Sequence, residues 1–196
     1  DLAQSLAEGR ARHVADGAAR LPGTTIVLQL DEPSLPSVLG GGIPTASGFG
    51  RLRAPAASRA VEVLATVLAA AEHTVVHCCA PSVPVALLRK AGAGAVSLDA
   101  TLLTPRDDDQ LGEAVESGAG LLLGVVPSID ARLADLAAMM RPVQELWRRL
   151  GQAPDRLPDT VVVTPTCGLA GASPGHARRA LQTSAEIARR LREAPE

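Results

Sequence analysis

The residues best equipped for chemistry are few and far apart. "HTVVHCCAPSVP" (73–84) places His77, Cys78 and Cys79 at the end of an apolar run that a proline then stops. The third cysteine, Cys167, stands in "TPTCGL", and acidic groups sit in "LQLDEP" (Asp31, Glu32) and "AVSLD" (Asp99). Residues i and i+2 of a strand share a face, so His77 and Cys79 point one way and Cys78 the other, where it packs as a small buried apolar residue. Two thiolates, an imidazole and a carboxylate complete a tetrahedral zinc shell, giving His77, Cys79, Asp99 and Cys167 as candidate ligands. Structural zinc sites draw on local pairs such as C-x2-C, whereas these groups arrive one or two per segment, as in a catalytic site with a place for an exchangeable ligand. The alternative is three core cysteines and a satisfied histidine. From "HCC" alone that reading would be preferred; Cys167 and Asp99 tip the balance toward zinc.

The elements that must position these groups follow from patterning. Short apolar runs at 25–30, 74–79, 95–99, 120–126 and 160–165 are too continuously apolar for one wet face and read as buried parallel strands. Amphipathic segments at 57–71, 83–92, 108–118, 130–151 and 174–193 alternate with them, after an N-terminal helix over 1–21. Gly92, Gly118 and Gly151 stand where helix ends need a left-handed residue, and Asp108 or Asp130 could cap helix starts. Repeated βα units predict a parallel sheet with right-handed crossovers, as a closed barrel or an open doubly wound sheet. The candidate residues then all close or follow strands, on the face where such folds build their sites. A chain starting without methionine reads as a fragment, and if the fold is a barrel, five strands against eight leave roughly its first three missing.

Composition narrows the class. With 196 residues, 46% hydrophobic content and net charge −2, the chain reads as a single globular domain over 1–196. It has no basic tract, and Phe49 and Trp147 are its only aromatics, which argues against nucleic-acid binding. Apolar stretches such as "AGLLLGVVP" fall short of the ~20 residues that cross a bilayer, and three cysteines make a poor disulfide framework, favouring a reducing cytoplasm. "LGGGIPTASGFG" (39–50) reads as a mobile loop over the site, with a plain linker as the alternative. No G-x-G-x-x-G follows a strand, which weakens a nucleotide-binding reading. His13 and His73 read as solvated, and His176, at a helix start after "SPG", as a residue without special purpose.

In order and spacing, "VLQLDEPSL", the H-x-C pair of "HCCA", "AGAGAVSLDA" and "VVVTPTCGLAG" with its final helix resemble the C-terminal catalytic barrel of cobalamin-independent methionine synthase over about residues 25–193. H-x-C followed much later by P-x-C-G-L is specific; "DEP" alone is weak. The resemblance implies an incomplete (β/α)8 TIM barrel carrying its last five βα units. It implies a zinc-dependent methyltransferase of methionine biosynthesis that activates homocysteine for methyl transfer from 5-methyltetrahydrofolate. Position by position it makes His77, Cys79 and Cys167 zinc ligands, and Asp31, with Glu32 beside it, the group holding the substrate's amine. Asp99 stands where the family has a glutamate ligand. Departures are an aspartate one methylene short, no histidine proton donor in "LLLGVVPSID", and few aromatics to stack on a pterin. The alternatives are a related zinc thiol methyltransferase with another donor or acceptor, and a degenerate zinc-binding domain. The open barrel is expected to need its N-terminal half from elsewhere, or to form homo-oligomers.

Overall fold

A computed structural model describes residues 2–194. They cluster into two compact units: one runs to Cys78 and resumes over Val83–Val96, and the other comprises Cys79–Ser82 and the chain from Ser97 onward.

In the first unit, helix Leu2–Arg20 (α1) leads into strand Val27–Asp31 (β1), followed by helix Leu35–Leu39 (α2) and helix Ala57–Leu68 (α3). Strand His73–Cys78 (β2), helix Val85–Lys90 (α4) and the start of strand Ala95–Asp99 (β3) complete it. β1 and β2 run parallel, with Val27 opposite His73 and Asp31 opposite His77. Burial in β1 alternates: Leu28 and Leu30 are buried, while Val27 is 56% exposed on the other face. α3 buries Leu64, Val67 and Leu68, a stripe at i, i+3 and i+4, whereas α1 fully buries no residue and leaves Leu2 and Leu6 in solvent.

The second unit carries the rest of β3, two 3-10 turns (Ala100–Leu102 and Pro105–Asp107) and helix Asp108–Glu116 (α5). Strand Gly120–Val126 (β4), helix Leu136–Arg149 (α6), the helical turn Leu157–Thr160 (α7), strand Val161–Pro165 (β5) and helix Pro174–Glu193 (α8) follow. β4 and β5 pair in parallel with a register shift between Gly124 and Val126. Leu121 and Leu123 of β4 are fully buried, as are Val143 of α6 and Ile187 of α8. Each such side chain contributes about 1.5–3 kcal/mol by leaving water.

The five strands form one sheet in the order β1-β2-β3-β4-β5. Doubly wound sheets reverse direction at a switch point, and this order has no reversal, so the open doubly wound alternative is set aside. What stands is an α/β fold with a parallel five-stranded sheet.

Several local expectations shift. Asp130 does not cap α6: the helix starts later, where the Asp135 carboxylate accepts from the Ala138 N–H at 2.7 Å. Asp108 is already the first residue of α5, and its carboxylate takes a two-pronged bond from Arg149 at 2.9 and 3.0 Å. Past Leu39 the 39–50 stretch is built of turns and bends with one isolated bridge residue, Pro44. It leaves α2 and turns back on itself through a Pro44–Arg51 bridge, with Leu52 N–H bonded to Ile43 O at 2.8 Å and Phe49 99% exposed. Gly92, Gly118 and Gly151 do take positive φ at helix ends.

Candidate metal centre

β2 delivers the first candidate ligand, His77. All its residues after His73 are buried, Cys78 fully and His77 at 8% exposure. The carbonyl of His77 accepts the Glu32 N–H at 2.8 Å, tying the end of β2 to the end of β1. Cys79 lies one residue past the strand. Cys167 lies two residues past β5, and its Sγ is 3.4 Å from that of Cys79 although 88 residues separate them. One ligand atom from each of His77, Cys79 and Cys167 falls within 4.8 Å of the others.

That grouping fits zinc in both chemistry and size. Zn–S bonds of ~2.3 Å and Zn–N bonds of ~2.0 Å in a tetrahedron set ligand atoms roughly 3.5–3.8 Å apart, so the two sulfurs need to open by only a few tenths of an ångström. None of the three cysteines is in a disulfide. Soft thiolates with an imidazole select zinc over the hard cations, which take oxygen. Three protein ligands also leave a fourth position for an exchangeable one.

The expected acidic residues are placed differently. Asp99 falls outside the group of three: its Oδ1 accepts from Thr101 N at 2.9 Å and from Thr101 Oγ1 at 2.6 Å, capping the Ala100–Leu102 turn. Asp31 ends β1 in register with His77, exposed, with Gln29 Nε2 donating to its Oδ1 at 2.8 Å. Glu32 instead lines a cavity of about 380 Å³ with Leu6 and Arg10 of α1, Leu30, and Leu64 and Val67 of α3. Burial there pushes its carboxyl above the ordinary value of 4.5, opposed by the Arg10 guanidinium and reinforced by the Asp31 charge.

Hydrogen bonds that the sequence did not reveal tie the Cys167 segment to the residues around the end of β4. Thr166 N–H donates to Val126 O at 2.9 Å, and Thr166 Oγ1 to Ser128 Oγ at 3.3 Å. Ser173 donates from N and Oγ to the two carboxylate oxygens of Asp130 at 2.7 and 2.6 Å, which holds that carboxyl below its usual range. His176, expected to be unremarkable, is fully buried and bonds Pro127 O through Nε2 at 2.9 Å. The only signal in sequence was "SPGH" as a helix start; partners 38 to 49 residues away leave no local mark.

Gly124 makes the approach of β5 possible. A Cβ there would stand 2.5 Å from Thr166 Cα and 2.8 Å from Pro165 O. No helix among the described residues is long and apolar enough to cross a membrane.

No curated protein matches this chain. The family model described as "Cobalamin-independent synthase, Catalytic domain" matches residues 2–190. With that match spanning nearly its whole length, and with an imidazole and two thiols gathered at its strand ends, the chain belongs to the cobalamin-independent synthase family and carries sequence of its catalytic domain.

Proposed function

We propose that this chain is the thiol-activating part of a zinc-dependent methyltransferase, with homocysteine as acceptor and 5-methyltetrahydrofolate as methyl donor. The observation that carries the reading is the convergence of His77, Cys79 and Cys167 within 4.8 Å, in a chain of this family. His77, Cys79 and Cys167 would hold the zinc. Bound there, zinc supplies a cation that stabilises a substrate thiolate at neutral pH.

The chain's own residues orient the substrate. Asp31, exposed and in register with His77, holds the amino group of the amino acid, and Gln29 fixes the carboxylate that does so. Glu32, turned into the α1–α3 cavity, tunes that end of β1 rather than touching substrate. The fold reading is a (β/α)8 barrel of which these are the last five units, one domain acting in the cytoplasm. In support, the strand order never reverses, and the edge strands β1 and β5 leave Val27 and Val162 56% and 55% exposed, as surfaces that further strands would cover. Those strands come from the N-terminal barrel half, or a second copy shields the edges.

One observation favours a second reading, in which the methyl donor is not a pterin. Trp147 is spent in the core, 3% exposed with its indole N–H on Ala153 O, which leaves Phe49 as the one aromatic that solvent reaches.

Calorimetric titration of the zinc-loaded protein with homocysteine tests the reading. Binding by wild type, and weaker binding by Asp31→Asn at unchanged zinc content, are expected. Equal loss of zinc in that variant would overturn the Asp31 role, and no response of wild type to the thiol would leave a degenerate zinc domain.

A further inference from the structure

Cys167 sits in a stretch poorly able to hold itself in place. Residues 168–175, "GLAGASPG", contain three glycines and two alanines, so few side chains can anchor the arm between β5 and α8. The anchors lie at its two ends, and each reaches back to residues 126–130, the last residue of β4 and the segment that follows it. Thr166 bonds Val126 O and Ser128 Oγ, Ser173 bonds both oxygens of Asp130, and His176 bonds Pro127 O. Ser173 Oγ in turn accepts the His176 N–H at 3.2 Å, which starts α8.

His176 is the buried member of this set. A carbonyl oxygen only accepts, so Nε2 must carry a ring hydrogen. Nδ1 is buried and has no hydrogen-bond partner among the described residues. A leucine of similar volume would fill the site without that penalty, so the one thing the imidazole adds is its hydrogen bond to Pro127.

We propose that His176 is a positioning residue for the metal centre: its Nε2–H locks the 126–130 turn to the arm carrying Cys167 and so sets where that thiolate stands. This rests on the zinc reading above. Outer groups that orient metal ligands typically govern affinity by 10- to 100-fold.

The test compares wild type, His176→Leu, which keeps volume but loses the donor, and His176→Gln, which restores an N–H at similar reach. Zinc affinity is measured by chelator competition, and cobalt(II) substitution reads thiolate ligation through the sulfur-to-metal charge-transfer band. His176→Leu should weaken zinc by roughly 10- to 100-fold and diminish the cobalt band, and His176→Gln should recover most of both. A leucine variant that melts earlier yet binds zinc and cobalt like wild type would reduce His176 to packing and overturn the proposal, as would a glutamine variant no better than leucine. If the leucine variant fails to fold, Asp130→Ala, which releases Ser173 from the same turn, carries the test: weaker zinc supports the clamp, and unchanged zinc overturns it. Wild type that binds no zinc would sink the metal reading, and the positioning role with it.

Discussion

Replacing Gly124 by alanine drives a methyl group into the backbone that carries Cys167. The added Cβ would meet Thr166 Cα at 2.5 Å, Pro165 O at 2.8 Å and Leu98 O at 3.1 Å, all of them main-chain atoms that no rotamer change can move. Carbon contacts are comfortable at about 3.5–4.0 Å, so the Thr166 backbone must retreat by about 1 Å. Overpacking of this kind costs about 1–3 kcal/mol. With a urea dependence of about 1–3 kcal/mol per molar, the unfolding midpoint should fall by roughly 1 M. The metal should feel it as well, because ligand distances in a zinc site tolerate only about 0.2 Å and Cys167 is the next residue. Gly118→Ala is the control: its φ of 87° strains any side chain, but nothing lies within 4 Å of the added carbon. It should lose about 1–2 kcal/mol of stability and no zinc affinity. Urea melts of the metal-free proteins, paired with chelator competition, separate the two. Gly124→Ala with a wild-type midpoint and wild-type zinc affinity would refute the reasoning.

Three further outcomes follow from the same geometry. Asp99→Ala should lose about 1 kcal/mol through its turn cap and keep full zinc affinity, and a loss of affinity in competition assays would place Asp99 at the metal after all. Diamide treatment of metal-free protein should join Cys79 to Cys167, whose sulfurs need to close from 3.4 Å to the ~2.05 Å of a disulfide, while bound zinc should protect both; peptide mapping that finds Cys78 in the bridge would contradict this. Because burial raises the Glu32 carboxyl above 4.5, its contribution to stability is complete below that pH and is lost as the pH climbs through the raised value. Glu32→Gln should therefore melt higher than wild type at pH 7 and equally near pH 4, and a gain that is the same at both pH values would refute the buried-carboxyl account.

The parts of this site that were legible in the sequence were those tied to strand periodicity. Alternation along "TVVHCC" set Cys79 apart from Cys78, and the continuously apolar runs marked the strands at whose ends His77, Cys79 and Cys167 come together. Strand ends slipped by one or two residues: β1 reaches Asp31 and β2 stops at Cys78, because sheet pairing rather than side-chain type decides where a strand ends. Helix caps were misread where an acid had a better tertiary partner, as Asp130 has in Ser173 and Asp108 in Arg149. Asp99 reads as a ligand from its place at a strand end; its Oδ1 takes the Thr101 N–H and hydroxyl two residues away, a local cap that strand-end position alone does not reveal. His176 was invisible for the opposite reason, since its partner carbonyl lies 49 residues earlier.

The most direct test of the zinc-thiol account is a zinc-edge absorption spectrum of the purified protein, recorded before and after homocysteine is added. One zinc per chain with sulfur and nitrogen ligands, gaining one sulfur when the thiol arrives, is the expected result. Zinc whose ligand shell ignores homocysteine, or protein that holds no zinc at all, would contradict it.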